Sequence, residues 1–248
     1  MNEPPPTRKF YGLPCTHRIQ SRKLFLRRGC EHQAPTNRIG EETVTRSNVG
    51  GWLVALVAAN VLVAPAVAGG PLEDGVAAYR EKAYTKAAEL WRPLAESGDA
   101  AAQYLLGSLY VEGNGVEHND ATALLWFQRA ADQGDAAAQY NVGASYAGGR
   151  GVQKSYTDAA KWFRRAADQG VAFAQLNLGL LYAAGNGVAQ DNIEALKWLE
   201  LAFFGLPAGS SRSDVARAMT DVTAKMTREQ IEEAKQRERS WKAQPEVK

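Results

Sequence analysis

The chain has 248 residues, 45% of them apolar, with 29 basic and 27 acidic side chains, which permits one or two globular domains and excludes a disordered or fibrous chain. Residues 1–48 carry a net charge of +5, whereas residues 49–248 carry a net charge of −3. A mildly acidic body lacks the basic field that nucleic-acid binding requires, so we expect no nucleic-acid partner.

The first 48 residues differ from the rest of the chain. They contain both cysteines, Cys15 and Cys30, so disulfides within the remaining residues are excluded. The spacing around these cysteines matches no common zinc finger, and we expect no metal site. The segment is polar, contains proline and lacks helical or strand periodicity. We interpret residues 1–48 as disordered or as the result of a misassigned start, with translation beginning near Val44 or Val49.

Residues 49–68 have the pattern of a signal peptide. The apolar run Trp52–Val63 is interrupted only by Asn60 and is shorter than the ~20 residues that span a bilayer. Small residues in the A-x-A pattern follow, and we expect cleavage after Ala68. Cleavage predicts a periplasmic or secreted protein. The alternative is an uncleaved anchor with the basic residues on the inner side, which would leave the protein attached to the inner membrane.

Residues 99–206 repeat with a period of 36 residues, and three copies align without gaps. Each copy is predicted as two helices, roughly Ala100–Glu112 and Asp120–Gln133 in the first copy, joined by a glycine-rich loop. The columns shared by all three copies include Gly107/Gly143/Gly179, Tyr110/Tyr146/Tyr182, Gly113/Gly149/Gly185, Gly115/Gly151/Gly187, Trp126/Trp162/Trp198 and Ala130/Ala166/Ala202.

These columns predict packing and chain reversal. Gly107 leaves a patch without a side chain on the first helix, which indicates close helix packing. Trp126 and Ala130 lie on one face of the second helix and are predicted to be core residues, as are their equivalents in the other copies. Gly113 favours the left-handed conformation that ends a helix. The residues predicted to cap the second helices are Asn119, Ser155 and Asp191.

The motif A-x-x-L-G-x-x-Y-x-x-G-x-G-V, followed by A-x-x-W-F-x-x-A-A-D-Q-G, closely resembles the Sel-one-like repeat, a relative of the tetratricopeptide repeat. This resemblance implies an all-α fold, a right-handed α-solenoid of paired antiparallel helices, over residues 72–206. Residues 72–98 match more weakly and form a degenerate first pair, in which Pro93 should disturb the second helix.

Two further helices are predicted in residues 207–248, at Ser213–Lys225 and Arg228–Trp241. A Thr227 to Gln230 capping box opens the second of them. Because the last repeat of a solenoid exposes a face that a further repeat would bury, we expect these helices to cover that face.

The partner-binding surface is predicted from columns that vary between copies but share one face of the first helix. The resemblance implies that these helices line the concave side. We expect Asn141 and Asn177 to hydrogen-bond an extended peptide beside an apolar patch. The alternative is that some of these side chains contact the neighbouring repeat. The predicted partner-binding residues are Leu105, Ser108, Glu112, Asn141, Ala144, Phe173, Asn177 and Leu180.

Enzyme classes that need histidine or cysteine are disfavoured, because His118 is the only such residue after residue 48 and is predicted to be an exposed loop residue. We assign no catalytic residue and no cofactor. Some secreted relatives described as penicillin-binding carry cysteines in their repeats, and this chain has none there.

Three hypotheses follow. The first, which we favour, is a non-enzymatic periplasmic adaptor that binds a protein or peptide of the cell envelope. The second is a cell-wall or amide-hydrolysing enzyme of the penicillin-binding repeat type. The third is a scaffold tethered to the inner membrane, which requires that residues 49–68 remain uncleaved.

Overall fold

The computed structural model describes residues 69–246, and this part of the chain contains ten α-helices and no strand. From the first helix to the ninth, each helix packs against the next along the chain, as in a solenoid. The predicted all-α solenoid of paired helices is therefore confirmed. The helices are α1 Pro71–Arg80, α2 Tyr84–Glu96, α3 Ala100–Glu112, α4 Asp120–Asp132, α5 Ala136–Gly148, α6 Tyr156–Asp168, α7 Ala172–Ala184, α8 Asn192–Gly205, α9 Ser210–Thr223 and α10 Arg228–Ser240.

Capping side chains and glycines set the helix limits in each repeat. The helices α3 and α5 begin after Asp99 and Asp135, whose carboxylates accept hydrogen bonds from backbone amides at 2.7 and 2.6 Å. They end at Gly113 and Gly149, which have left-handed φ angles of 67° and 70°. The second helices begin after side-chain caps, as predicted, at Asn119, Ser155 and Asp191.

The two helices of each repeat approach most closely at a glycine of the first helix. A Cβ built on Gly107 would lie 2.8 Å from the ring of Phe127, and a Cβ built on Gly143 would lie 2.7 Å from the ring of Phe163. Carbon atoms do not approach so closely, so only glycine lets the aromatic ring lie directly against the first helix. The close packing predicted for this column is confirmed.

The glycine-rich loops pack against the preceding repeat. Gly151 has a φ of 67°, and a Cβ there would lie 2.4 Å from the carbonyl oxygen of Asp120 at the start of α4. Gly115 and Gly187 make the same close contact with the backbone of α2 and α6. The second glycine of each loop is therefore a backbone contact between repeats as well as a turn.

The tryptophan column is buried to different degrees. Trp126 and Trp198 are only 7% and 1% exposed, and the alanines paired with them are buried. Trp162 is only partly buried, and it packs against the core with the Arg165 guanidinium over its ring at 4.4 Å. The prediction that all three tryptophans are core residues is therefore wrong for Trp162.

The degenerate first pair forms α1 and α2. Trp91 of α2 is buried, and its Nε1 donates to the carbonyl of Leu72 at 3.1 Å, which joins the two helices. Pro93 lies inside α2, yet the helix continues to Glu96, so the expected disturbance does not interrupt it. The helix continues because Pro93 lies in its last turn, and the carbonyl without a helical donor belongs to the exposed Glu89.

The C-terminal helices cover the last repeat, as predicted. Both α9 and α10 pack on α8. Their buried residues Val215 and Ala234 belong to the same apolar cluster as Leu199 of α8. The helix α10 begins with the predicted capping box of Thr227 and Gln230.

The helices of the predicted solenoid and cap fall within the described residues, whereas the predicted N-terminal segments do not. The solenoid predicted for residues 72–206 corresponds to α1 through α8, and the cap predicted for residues 207–248 contains α9 and α10. The predicted extension, residues 1–48, and the predicted signal peptide, residues 49–68, lie outside the described residues. Between residues 69 and 246, none of the helices has the length and apolar content that crossing a bilayer requires.

Glu194 of α8 joins the last repeat to its cap and to the repeat before it. One carboxylate oxygen accepts from Arg237 of α10 at 2.7 Å, and the other accepts from the Trp198 Nε1 at 3.0 Å. Lys197 and Arg164 lie 3.4 and 3.9 Å away. Burial opposes ionisation, but the hydrogen bond from Arg237 and the charges of Lys197 and Arg164 outweigh it and lower the pKa of Glu194.

The loop contact predicts the effect of an alanine in place of Gly151. Gly151→Ala should lower the free energy of unfolding by about 2–4 kcal/mol, because the left-handed φ and the contact with α4 both resist a Cβ. Gly148→Ala is the control. A Cβ there would meet only the flexible Arg150 side chain at 3.6 Å, so we expect a change of about 0.5 kcal/mol or less. Urea unfolding measures both, and equal stability of the two variants would contradict the loop contact.

The Glu194 network predicts a pH dependence. Because the pKa of Glu194 is lower in the folded chain than its ordinary value of 4.5, its stabilising effect is present above about pH 4.5 and is lost as the pH falls through the folded pKa. Glu194→Gln should therefore lower the free energy of unfolding by about 2 kcal/mol at pH 7 and by less at pH 3.

Urea unfolding between pH 7 and pH 3 measures this convergence. Glu233→Gln is the control, since Glu233 is exposed and pairs with the same Arg237 at 2.6 Å. It should cost about 0.5 kcal/mol or less. A constant difference between the Glu194→Gln variant and the natural chain over the whole pH range would refute the account.

Candidate functional site

The stripe predicted on the first helices is less exposed than expected. Asn177 is completely buried, and Ala144 is 8% exposed. The other six predicted residues are partly buried, namely Leu105, Ser108, Glu112, Asn141, Phe173 and Leu180.

The burial of Asn177 corrects the prediction of a carboxamide pair. The helix α7 packs against α6, α8 and the capping helix α9, and the Asn177 side chain is enclosed. Asn141, one repeat earlier, is partly exposed. Helical spacing places both side chains on one face, but it does not show where that face is covered by a neighbouring helix. Of the two asparagines, only Asn141 is partly exposed.

The predicted apolar patch is divided between different parts of the core. Leu105 packs against the N-terminal cluster around Trp91, whereas Leu180 packs against the C-terminal cluster around Leu199. Phe173 also contacts the C-terminal cluster, and its ring lies 6.3 Å from that of Tyr140. The structure therefore brings Phe173 and Leu180 to a shared cluster and leaves Leu105 in another.

The remaining polar residues of the stripe have partners within the protein. The Ser108 hydroxyl donates to the Tyr104 carbonyl of its own helix at 3.0 Å. Glu112 accepts from the Tyr79 hydroxyl at 3.1 Å and from the Asn114 Nδ2 at 2.6 Å. The contact of Glu112 with Tyr79 ties α3 to α1, which is a structural role.

A second polar column lies where one repeat meets the next. The glutamines Gln103, Gln139 and Gln175 are at most 4% exposed, near the start of α3, α5 and α7. Each Nε2 donates to a carbonyl near the end of the preceding second helix, at 3.0, 3.2 and 3.2 Å. The sequence contains the signal for this column, because the glutamine recurs at one position among small residues predicted to be buried.

Further glutamines extend this column at the surface. Gln133 donates both to the carbonyl of Gly98 and to the Oε1 of Gln103, each at 2.8 Å. Gln169 makes the equivalent bonds to Gly134 and Gln139, at 3.1 and 2.9 Å. The turns from each second helix to the next first helix are thus joined by a ladder of side-chain amides.

Arg165 of α6 lies beside this ladder. Its guanidinium lies over the Trp162 ring at 4.4 Å, and its Nη2 donates to the Ala131 carbonyl at 3.2 Å. Asp132 is 3.9 Å away. Stacking and the carbonyl hold the planar guanidinium in one orientation, which leaves its remaining donors facing outward for an anionic group.

The chain's own C-terminal segment, residues 241–246, lies extended across these turns. The ring of Trp241 packs edge-on against Trp198 at 6.2 Å, and the Gln244 amide donates to the Asp168 carbonyl at 2.8 Å. Glu246 accepts from the Nε and Nη2 of Arg165 at 3.1 and 2.8 Å, and its other oxygen accepts from the Nε2 of Gln139.

We define the tail-binding edge as the surface under this segment, formed by Gly134, Gln139, Arg165, Asp168 and Gly170. It combines a main-chain acceptor, a fixed guanidinium and an amide donor. Sequence analysis did not identify this edge as a binding site, since the predicted surface was sought only among the columns of the first helices. The edge holds the chain's own C-terminal segment, whose acidic side chain is Glu246.

His118 has a local structural role. It is exposed, and its Nδ1 lies 2.9 Å from the Val111 carbonyl, with Asp120 3.7 Å from its Nε2. Within residues 69–246 no three His, Cys, Asp or Glu side chains are grouped so as to hold a metal ion.

Comparisons with known proteins agree with the geometry of the repeats. The family model for the Sel1 repeat matches residues 100–135, 136–171 and 172–203. The crystal structure of a Sel1 repeat protein from Oxalobacter formigenes is 34% identical with a TM-score of 0.56, covering 64% of this chain and 63% of that chain.

A second similar structure is the protective antigen c5321 of uropathogenic Escherichia coli strains, which displays an SLR fold. It is 27% identical with a TM-score of 0.47, covering 72% of this chain and 49% of that chain. The chain thus spans less than two thirds of the length of either protein. A comparison with curated proteins found no match.

The helix pairs, the close glycine contacts and the capping residues all recur at the period of the matched family model. The similar structure at 34% identity is itself a Sel1 repeat protein. Residues 100–203 therefore consist of three consecutive copies of the Sel1 repeat.

Proposed function

We propose that the protein is an exported, non-enzymatic adaptor that binds another protein of the cell envelope through an extended segment of that partner. Sel1 repeats generally mediate protein–protein interaction, and they typically serve as scaffolds without enzymatic activity. What we propose for this protein in particular is that it is exported, that it acts in the cell envelope and that its partner binds through an extended segment.

The single observation that carries the proposal is the extended segment held on the tail-binding edge. Its Gln244 amide pairs with a main-chain carbonyl, and the Glu246 carboxylate meets the Arg165 guanidinium. Main-chain pairing combined with side-chain selection is how protein surfaces recognise extended peptides. The edge holds a segment of its own chain, and this supports the proposal that a partner segment of the same chemistry uses the same donors and acceptors.

The proposed location rests on residues 49–68, whose apolar run and A-x-A pattern are typical of a cleaved signal peptide. Cleavage after Ala68 would leave the described solenoid as the mature protein. If the segment is retained, the same adaptor is tethered to the inner membrane.

Capture from living cells tests the adaptor function. The full chain, with an affinity tag inserted after Gly70, is crosslinked in its native host and purified from the envelope fraction. We expect a specific envelope protein to be enriched and to decrease at least about tenfold with Arg165→Glu, because reversed charge repels an acidic segment. Arg150→Glu, in an exposed loop, is the matched control and should retain the partner.

Asn141→Ala is examined in the same experiment. If the partner is lost with Asn141→Ala but not with Arg165→Glu, the binding surface lies on the first helices and not on the tail-binding edge. The adaptor function would be refuted if quantitative mass spectrometry found no envelope protein enriched above a control that carries only the tag.

A further inference from the structure

The recognition groups of the tail-binding edge occur a second time, one repeat closer to the N-terminus. The residues 36 positions before Gln139 and Arg165 are Gln103 and Arg129. The residues 36 positions before Gly134 and Asp168 are Gly98 and Asp132. We define the first-repeat edge as the surface formed by Gly98, Gln103, Arg129 and Asp132.

The two edges share the stacked guanidinium and the buried glutamine, although only Arg165 also donates to a helix carbonyl. The Arg129 guanidinium lies over Trp126 at 4.6 Å, as Arg165 lies over Trp162 at 4.4 Å. The Gln103 amide is held by the Ala95 carbonyl at 3.0 Å, as Gln139 is held by its equivalent carbonyl. The first-repeat edge therefore presents a guanidinium in the same stacked setting, beside the same glutamine.

The two edges differ in what lies on them. A Cβ built on Gly134 would lie 3.7 Å from the Cβ of Glu246, whereas one built on Gly98 would meet no atom within 4 Å. Arg129 is exposed and has no acidic partner among residues 69–246. Arg129 of the first-repeat edge is the equivalent of Arg165, which binds Glu246. Among residues 69–246, no acidic side chain binds Arg129.

The path of the C-terminal segment gives the register of an extended peptide on these edges. A Cβ on Gly170 would lie 3.6 Å from Ala243, and one on Gly134 would lie 3.7 Å from Glu246. The segment thus advances three residues for each repeat. Three extended residues span about 10 Å, which is close to the spacing of packed helices. The next residue in register, three positions after an acidic residue over Gly134, would lie over Gly98.

We infer that the two edges together bind an extended partner segment that carries two acidic residues three positions apart. The first acidic residue takes the place of Glu246 on Arg165 and Gln139, and the second binds Arg129 and Gln103. This inference rests on the proposed adaptor function and specifies the chemistry of its partner. The chain's own residues 241–246 compete for the first of the two sites.

The N-terminal end of the bound partner segment lies on the third repeat. At the position of Arg165 this repeat has Leu201, and at the position of Gln169 it has Gly205, so it keeps the buried Gln175 but lacks the guanidinium and the second glutamine of the other two repeats. Trp241 of the tail packs there against Trp198. The partner segment therefore carries an aromatic residue five positions before its first acidic residue.

Because the tail competes for the tail-binding edge, a partner segment needs a second acidic residue in order to displace it. The tail is attached to its own site, so its effective concentration there is on the order of millimolar. A partner segment that made only the contacts of the tail would be at a disadvantage against it. Contact with Arg129 is available to the partner segment and adds a second ion pair, which favours displacement of the tail.

Fluorescence anisotropy with two labelled peptides tests the inference. The first peptide has the sequence of residues 241–248 followed by one glutamate, which places acidic residues three positions apart, and the second ends in glutamine instead. Both are titrated with the full natural chain and with the full chain carrying Glu246→Gln, whose tail has lost its anionic group. The peptide with two acidic residues should bind about fivefold more tightly, and both peptides should bind the Glu246→Gln chain more tightly than the natural chain.

Variants of the Glu246→Gln chain identify the site. Arg129→Ala should abolish the advantage of the second glutamate and leave the binding of the other peptide unchanged, whereas Arg165→Ala should weaken both peptides. Arg150→Ala is the matched control and should change neither. Thermal unfolding verifies that each variant is folded, which is expected for the exposed Arg129 and Arg150.

Equal affinity of the two peptides, or an advantage that survives Arg129→Ala, would overturn the inference. Absence of saturable binding by either peptide to the Glu246→Gln chain would overturn it as well. Neither result affects the adaptor function if an envelope partner is still captured, because the capture experiment does not depend on acidic residues three positions apart.

Discussion

The hydrogen bond from a buried glutamine of one repeat to the end of the preceding repeat is the interaction on which the rest of the structure depends. In a solenoid each repeat contacts mainly its neighbours, so stability lies in the contacts between successive repeats. The amides of Gln103, Gln139 and Gln175 donate to carbonyls in the last turn of a second helix, which also accept backbone amides of the turn that follows. The same bonds fix the angle at which the chain enters the next repeat.

The tail-binding edge is a consequence of this arrangement. Beside the turns that the glutamine ladder joins, the Asp168 carbonyl accepts the Gln244 amide, and Gln139 donates to Glu246 next to Arg165. Trp162 supports the guanidinium that binds Glu246. Residues that identify the repeat in sequence therefore also form the surface that holds extended polypeptide.

The sequence predicted the helix pairs, their caps and the close contact at Gly107, because each of these depends on groups within one period of 36 residues. It did not predict that Asn177 is enclosed, since that depends on how α7 packs against its neighbours. Nor did it predict the docking of Glu246 on Gln139, residues 107 positions apart whose pairing leaves no periodic pattern. Contacts within one repeat can therefore be predicted from this sequence, whereas contacts between distant segments, which bury a surface, can be seen only in the folded solenoid.

Replacement of Gln139 by leucine tests most directly whether one amide both joins the repeats and supports the tail. Leucine has a similar size but no donor, so it leaves the buried Ala131 carbonyl with one donor fewer and removes the contact with Glu246. Urea unfolding of Gln139→Leu, combined with hydrogen exchange at the Gln244 amide, should show a loss of about 1–3 kcal/mol and faster exchange than in the natural chain. Unchanged stability with unchanged exchange at Gln244 would contradict the account.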